Sequence, residues 1–257
     1  MGWWQRWKDW REQRMRARHD IPTPLWDAVL ARYPFLENLP SGEREALRAL
    51  SSAFLARKEF SGAQGLVVSD EMAVAIAAQA CLPILHLDLS LYDGFVGIVV
   101  HPDEVVARRH VTDHDGVVHE YDEWLSGEAM AGGPVMLSWP DVDEAGDFAM
   151  DGYNVVVHEF AHVIDMCNGD ADGVPPQPSL EAQTRWIEVL DGALEAFCRR
   201  LDAGQPTLLD PYGAEGPQEF FAVAAEAFFV NPRPFREHHP DVHALFVNYF
   251  RQDPANR

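Results

Sequence analysis

The pattern of apolar and polar positions predicts a chain that is mostly helical. Two short helices, over about 25–32 and 43–57, lie between prolines, and Ser69-Asp70-Glu71 begins a third that ends before Pro83. Four more helices are predicted in the second half, over about 150–167, 180–202, 218–230 and 240–251. The longest begins at the capping residue Ser179, and the next begins after Pro217.

Strand patterns are confined to the middle of the chain. Residues 83–89 alternate in part and predict a strand or an extended segment, and residues 96–100 give a stronger strand pattern. An Asp-Gly pair predicts a hairpin between residues 109–112 and 117–120. Residues 134–139 form the last predicted strand, either an ordinary buried strand or an edge strand with which an extended peptide can pair.

The first twenty residues differ from the rest in composition. Trp3, Trp7 and Trp10 share one helical face in a segment rich in arginine. Such a helix can lie on a membrane surface, bind a partner, or dock on the protein's own core. We therefore divide the chain into a basic, Trp-rich segment, residues 1–20, and a single continuous domain, residues 21–257.

Charge and cysteine content narrow the function classes. The chain has 41 acidic and 20 basic residues, and a net charge of −21 argues against general binding to nucleic acid. Three widely spaced cysteines do not form a disulfide framework, which favours a reducing cytoplasm. No apolar run reaches the roughly 18 residues that a transmembrane helix needs.

One stretch of the predicted helix over 150–167 carries the most specific chemistry. His158-Glu159-Phe160-Ala161-His162 places two imidazoles one helical turn apart on the same face, where both can reach one metal ion. Glu159 lies beside them and is placed to handle water at that metal. The flanking residues are apolar on nearly every side, so the helix is buried, and buried imidazoles need partners.

A catalytic zinc site usually has three protein ligands, so a third group must come from elsewhere. The metzincin continuation is excluded because Asp165 and Asn168 stand where that class needs Gly and His. Glu219 and Glu226 share one face of an otherwise apolar helix, and either can ligate the ion while the other supports the site. Asp165 could accept a hydrogen bond from a ligand histidine, or make a loop contact.

Several motifs together resemble the Mlc titration factor A family of bacterial zinc metallopeptidases. The resemblance extends from about residue 22 to the C-terminus. Its motifs are His158-Glu159-Phe160-Ala161-His162, Asp165-Met166, Asn168-Gly169-Asp170, Asp210 with Tyr212, Glu219-Phe220-Phe221-Ala222-Val223, Ile76 to Pro83, Tyr92-Asp93 and Gly133-Pro134-Val135.

The resemblance implies one zinc ion on His158, His162 and Glu219, with Glu159 as catalytic base. It places Tyr212 at the family's tyrosine position, seven residues before the glutamate ligand, a spacing similar to that in anthrax lethal factor, a gluzincin. It also implies an α+β, zincin-like fold with a small mixed or antiparallel sheet, an active-site helix and a helical C-terminal part.

The resemblance implies two functions. Family members resemble aminopeptidases on small peptide substrates, and the founding activity is the binding of a glucose-responsive transcription repressor. The alternative to an enzyme is therefore a weakly catalytic or non-catalytic protein that titrates a transcription regulator.

Overall fold

The computed structural model describes residues 20–112 and 118–257, with side chains for 20–104 and 126–257. The predicted basic segment therefore lies outside the described residues, except for Asp20. The helices are α1 (Thr23–Arg32), α2 (Pro34–Glu37), α3 (Ser41–Leu55), α4 (Asp70–Cys81), α5 (Trp139–Glu144), α6 (Val155–Asp165), α7 (Leu180–Asp202), α8 (Pro217–Val230), α9 (Pro232–His238) and α10 (Pro240–Phe250). The strands are β1 (Glu59–Gly62), β2 (Gly97–His101), β3 (Val105–Thr112), β4 (Val118–Leu125), β5 (Gly127–Ala129) and β6 (Val135–Ser138).

The fold is α+β, with a small mixed sheet beside a mainly helical remainder. The sheet has the strand order β1-β2-β6-β5, in which β1, β2 and β6 are parallel and β5 runs antiparallel to β6. Strand β6 therefore lies inside the sheet, so of the two alternatives for residues 134–139 the buried strand is confirmed and the edge strand is wrong. The edge next to β6 is β5, a three-residue strand without the β-branched or aromatic residues that mark a strand in sequence.

The predicted hairpin is confirmed. Strands β3 and β4 pair antiparallel, from Thr112 opposite Val118 outward to Val105 opposite Leu125. Its Asp-Gly turn falls in residues 113–117, outside the described residues.

The segment 83–89 corrects another prediction, because it forms turns rather than a strand. Local backbone hydrogen bonds join Leu85 to Leu82 and Leu87 to Ile84, and a 3₁₀ helix follows at Leu89–Tyr92. The apparent alternation arises because these turns leave Leu85 and Leu87 half-buried and His86 and Asp88 exposed. The short strand β1 and helix α9 have no counterpart among the predicted elements.

Helix α6 is shorter than the predicted 150–167. Gly152, with φ of +81°, ends a preceding 3₁₀ helix at Phe148–Asp151, and Asn154 then caps α6. The Asn154 side chain accepts a hydrogen bond from the Val157 backbone N–H at 2.8 Å. The first histidine consequently lies in the second turn of a helix whose start is defined by a side chain.

An aromatic cluster holds α6 against the N-terminal half of the fold. The ring of Phe160 lies 4.9 Å from that of Tyr92, 5.7 Å from Phe54 and 5.8 Å from Phe95, centroid to centroid. Burial of one such phenylalanine stabilises a fold by roughly 1.5–3 kcal/mol. Because Phe160 lies between the two histidines in sequence, this packing sets the rotation of α6 about its axis.

Helix α8 is apolar almost all round and lies within the C-terminal helices. Every residue from Phe220 to Val230 is buried, and Trp186 of α7 stacks on Phe246 of α10 at 5.5 Å beside it. The only charged side chains of α8 are Glu219, in the first turn, and Glu226, two turns later. Both therefore project from a helix that the hydrophobic core holds in place.

Two further observations concern sequence predictions. None of the helices in the described part of the chain is both long enough and apolar enough to cross a membrane. Cys81, Cys167 and Cys198 are all free thiols, as their spacing indicated.

Candidate metal centre

Two packed helices bring the predicted ligands together. His158 and His162 project from successive turns of α6, and Glu219 projects from the first turn of α8. Among the described residues, these three form the group whose ligand atoms are close enough to hold one metal ion.

The three atoms form a nearly equilateral triangle. The Nε2 atoms of His158 and His162 are 3.2 Å apart, and each is 3.2 Å from Oε2 of Glu219. Zinc bonds of about 2.0–2.1 Å in tetrahedral geometry require ligand atoms roughly 3.3–3.4 Å apart. The donor types and the size of the triangle therefore fit zinc.

Glu226 orients His158 from the other side of its ring. Its Oε1 accepts a hydrogen bond from Nδ1 of His158 at 2.7 Å, which leaves the lone pair of Nε2 pointing into the triangle. The other oxygen of Glu226 accepts from the backbone N–H of Asn154, and the Asn154 amide donates to Gln79 of α4 at 2.7 Å. The helix cap and His158 are thus supported by the same buried carboxylate.

The charges around the triangle favour a cation there. Burial acts to raise the pKa of Glu219, but the two imidazoles outweigh it and lower that pKa to about 2. Burial acts to lower the pKa of His158, but Glu226 and Glu219 outweigh it and raise that pKa well above 6.5. An excess of carboxylates at a buried point holds either a proton or a metal ion.

Glu159 is buried between α6 and the edge strand β5. It is 5% exposed, and its desolvation raises the pKa of the carboxyl group. A Cβ atom at Gly127 of β5 would lie only 2.5 Å from Oε1 of Glu159. The glycine therefore provides the space that the carboxylate occupies.

Tyr212 lies in the same pocket as His158 and Glu159. It belongs to a 3₁₀ helix, Pro211–Ala214, whose start is capped by Asp210 through a 2.8 Å bond from the Tyr212 backbone N–H. Its ring centroid is 6.1 Å from that of His158. We call the surrounding cavity of about 210 Å³ the metal pocket; it is lined by Ser126, Gly127, Tyr153, Val155, His158, Glu159, Asp210, Tyr212, Val223 and Glu226.

Asp165 makes the loop contact that the sequence left open as an alternative. Its Oδ2 accepts from the backbone N–H of Gly173 at 2.7 Å, and no hydrogen bond joins it to His162 within the described residues. Gly173 has φ of +80°, and a Cβ there would lie 2.6 Å from the carbonyl oxygen of Pro217. Asp165 thus supports the loop at Gly173. This loop packs against Pro217, the first residue of α8, which lies two residues before Glu219.

Sequence reasoning missed two residues that shape this site. Asn154 could have been found, because a polar residue directly before an apolar helix is typical of an N-cap. Gly127 gave no such signal, because its role depends on the distance between β5 and α6.

The His/His/Glu donor set with a buried carboxylate beside it defines a metal site of the kind that metallopeptidases use. Residues 7–251 match the family model described as glucose-regulated metallo-peptidase M90. The chain therefore belongs to this family.

Relatives over nearly the whole chain agree with that assignment. Mlc titration factor A of Salmonella arizonae is 35% identical over 251 residues, covering 96% of this chain and 97% of the relative. The protein of the same name from Edwardsiella ictaluri is 36% identical, covering 96% and 94% of the two chains. An uncharacterized protein of Synechocystis is 36% identical, covering 96% and 90%.

Proposed function

We propose that the protein is a zinc-dependent, gluzincin-like peptidase that acts as an aminopeptidase on small peptide substrates. The observation that carries this proposal is the triangle of ligand atoms with a buried carboxylate beside it. His158, His162 and Glu219 would hold one zinc ion. When bound, zinc supplies a Lewis acid that polarises a carbonyl group and makes water more acidic.

The remaining chemistry falls to two side chains of the metal pocket. The Glu159 carboxylate accepts a proton from the attacking water and later delivers it to the leaving amine. The Tyr212 hydroxyl donates a hydrogen bond to the oxygen that becomes negatively charged during the attack. Glu226 accepts the hydrogen bond from Nδ1 of His158 and so directs Nε2 toward the ion, and burial shields the Glu159 carboxylate from bulk solvent.

The Glu159→Gln variant tests this proposal. Glutamine has nearly the same shape but cannot accept the proton, so hydrolysis should be lost while the zinc content stays near one ion per chain. Metal content by elemental analysis and hydrolysis of a set of amino-acid anilides, with and without chelator, provide the measurement. Full activity in this variant would contradict the mechanism.

A second function is favoured by the relatives. Proteins named Mlc titration factor A are 35% identical to this chain, and the net charge of −21 suits a basic, DNA-binding regulator. We therefore propose that the chain also binds a transcription repressor in the cytoplasm. Capture of purified Mlc by the Glu159→Gln variant, without hydrolysis, would favour titration as the main role; absence of binding by both variant and wild type would contradict it.

A further inference from the structure

A second cavity lies close to the metal pocket but shares no lining residue with it. It has a volume of about 420 Å³, and most of its lining residues are apolar. We call it the apolar pocket; its apolar lining includes Leu91, Phe95, Met130, Val135, Val163 and Met166.

Both pockets are lined on one side by α6 or the turn that follows it, and on the other by β5 or the residue that follows it; we call the space between these two elements the cleft. On α6, the metal pocket is lined by His158 and Glu159, and the apolar pocket by Val163 and, just past the helix end, Met166. On the β5 side, the order is the same, from Gly127 at the metal pocket to Met130 at the apolar pocket. The three residues from Gly127 to Met130 correspond to about 10 Å of strand, and the seven residues from Glu159 to Met166 correspond to about 10 Å of helix. The two pockets are therefore about 10 Å apart along the cleft.

The cleft continues beyond the apolar pocket. Ser90, Leu91 and Pro176 line both this pocket and a larger surface groove of about 700 Å³. A single amino-acid derivative would fill only the metal pocket, whereas an extended peptide can follow the cleft out to this groove.

We propose that the apolar pocket is a substrate subsite. It takes a large apolar side chain that lies two or three residues from the bond cleaved at the metal pocket, since about 10 Å corresponds to three residues of extended peptide. The proposal rests on the proposed peptidase function and adds a substrate class to it. Burial of a leucine side chain in place of glycine should raise kcat/KM roughly tenfold to a hundredfold.

Two variants change the pocket in opposite ways. Gly94 lines it, and a Cβ atom at this position would meet nothing within 4 Å, so Gly94→Leu places a side chain at the pocket without a backbone clash. Met130 is 42% exposed at the wall, so Met130→Ala removes a contact with little effect on folding. Gly42→Leu is the matched control, because Gly42 also has open space around it and lies on α3, away from the cleft.

The experiment measures selectivity as a ratio. The zinc-loaded proteins are incubated with peptide mixtures in which one position at a time is leucine or glycine, with free or blocked N-termini. Mass spectrometry gives the cleavage site and the leucine-to-glycine ratio of kcat/KM. In wild type and Gly42→Leu, the leucine-to-glycine ratio should reach at least about ten when the varied position lies two or three residues from the cleaved bond. Both pocket variants should lower this ratio several-fold.

The possible failures are distinguishable. If wild type cleaves peptides and the ratio is the same in all four proteins, the subsite is overturned while the peptidase function stands. If zinc-loaded wild type cleaves no more than Glu159→Gln does, the peptidase function is overturned, and the subsite with it.

Discussion

Replacement of Gly127 by alanine tests whether the position of the Glu159 carboxylate controls the reaction. The added Cβ would lie 2.5 Å from Oε1, 2.6 Å from Cγ and 2.8 Å from Cδ of Glu159. Ordinary contact begins near 3.4 Å, so the carboxylate must move by roughly 0.9 Å, the difference between 3.4 and 2.5 Å. It moves more readily than the strand because it is the end of a flexible side chain.

A misplacement of about 1 Å in a catalytic site can lower the rate roughly a hundredfold, which corresponds to about 2.7 kcal/mol in the activation free energy. We expect the Gly127→Ala variant to lose activity on this scale. Its zinc content should be unchanged, because none of the three closest contacts of the new methyl group involves a metal ligand. The loss should appear in kcat, since the base acts in the chemical step.

The assay is hydrolysis of amino-acid anilides at saturating zinc, together with zinc content and the thermal unfolding midpoint. Gly42→Ala is the control, because its Cβ meets nothing within 4 Å and alanine in a helix should stabilise the fold by about 0.5–1 kcal/mol. Wild-type kcat in Gly127→Ala, with zinc bound, would refute the reasoning. A loss of zinc in step with activity would mean that the methyl group disturbs the ligands instead.

The remaining predictions concern the groups around the triangle. Tyr212→Phe should lower turnover without lowering zinc content, measured on the same anilides; an unchanged rate would remove the hydroxyl from catalysis. Glu226→Gln should weaken zinc binding about 10- to 100-fold in a chelator competition, because Nδ1 of His158 loses its charged acceptor; the exposed Glu237→Gln on α9 should not. Burial raises the pKa of Asp165 to about 6, so this group holds more protons in the native state than in the unfolded chain between about pH 4 and 6. The contribution of Asp165 to the free energy of unfolding should therefore fall as pH rises through this range. The Asp165→Asn variant should lack this change. The free energy of unfolding of both metal-free proteins is measured at pH 4 and pH 7, and the same difference between the two pH values in both proteins would contradict the reasoning.

The sequence predicted most of the helices because their signals are local. Ser69 and Ser179 cap α4 and α7, each by accepting a hydrogen bond from the backbone N–H three residues later. Strands were predicted less well. The order of the sheet depends on which segments pair across the chain, and β5 has no apolar alternation from which its place at the edge could be inferred.

Residue spacing alone predicted the candidate site only within one helix, and Glu219 as ligand and Tyr212 came from the family resemblance. The spacing of His158 and His162 indicated a metal, because both project from one face within a single turn. The neighbours of Asp165 and Glu159 come from segments far away in sequence, namely the loop at Gly173 and the strand at Gly127. No periodicity within α6 contains that information.

The two glutamates of α8 show why a pattern alone could not separate a ligand from its support. Seven residues apart, they share one helical face and lie about 10 Å apart along the axis. The imidazole of His158 fits between them: its Nε2 is 3.2 Å from Glu219 and its Nδ1 is 2.7 Å from Glu226. Both carboxylates therefore contact the same ring through opposite nitrogens. What distinguishes Glu219 is His162, whose Nε2 is also 3.2 Å from it, so that only this glutamate completes a triangle of ligand atoms.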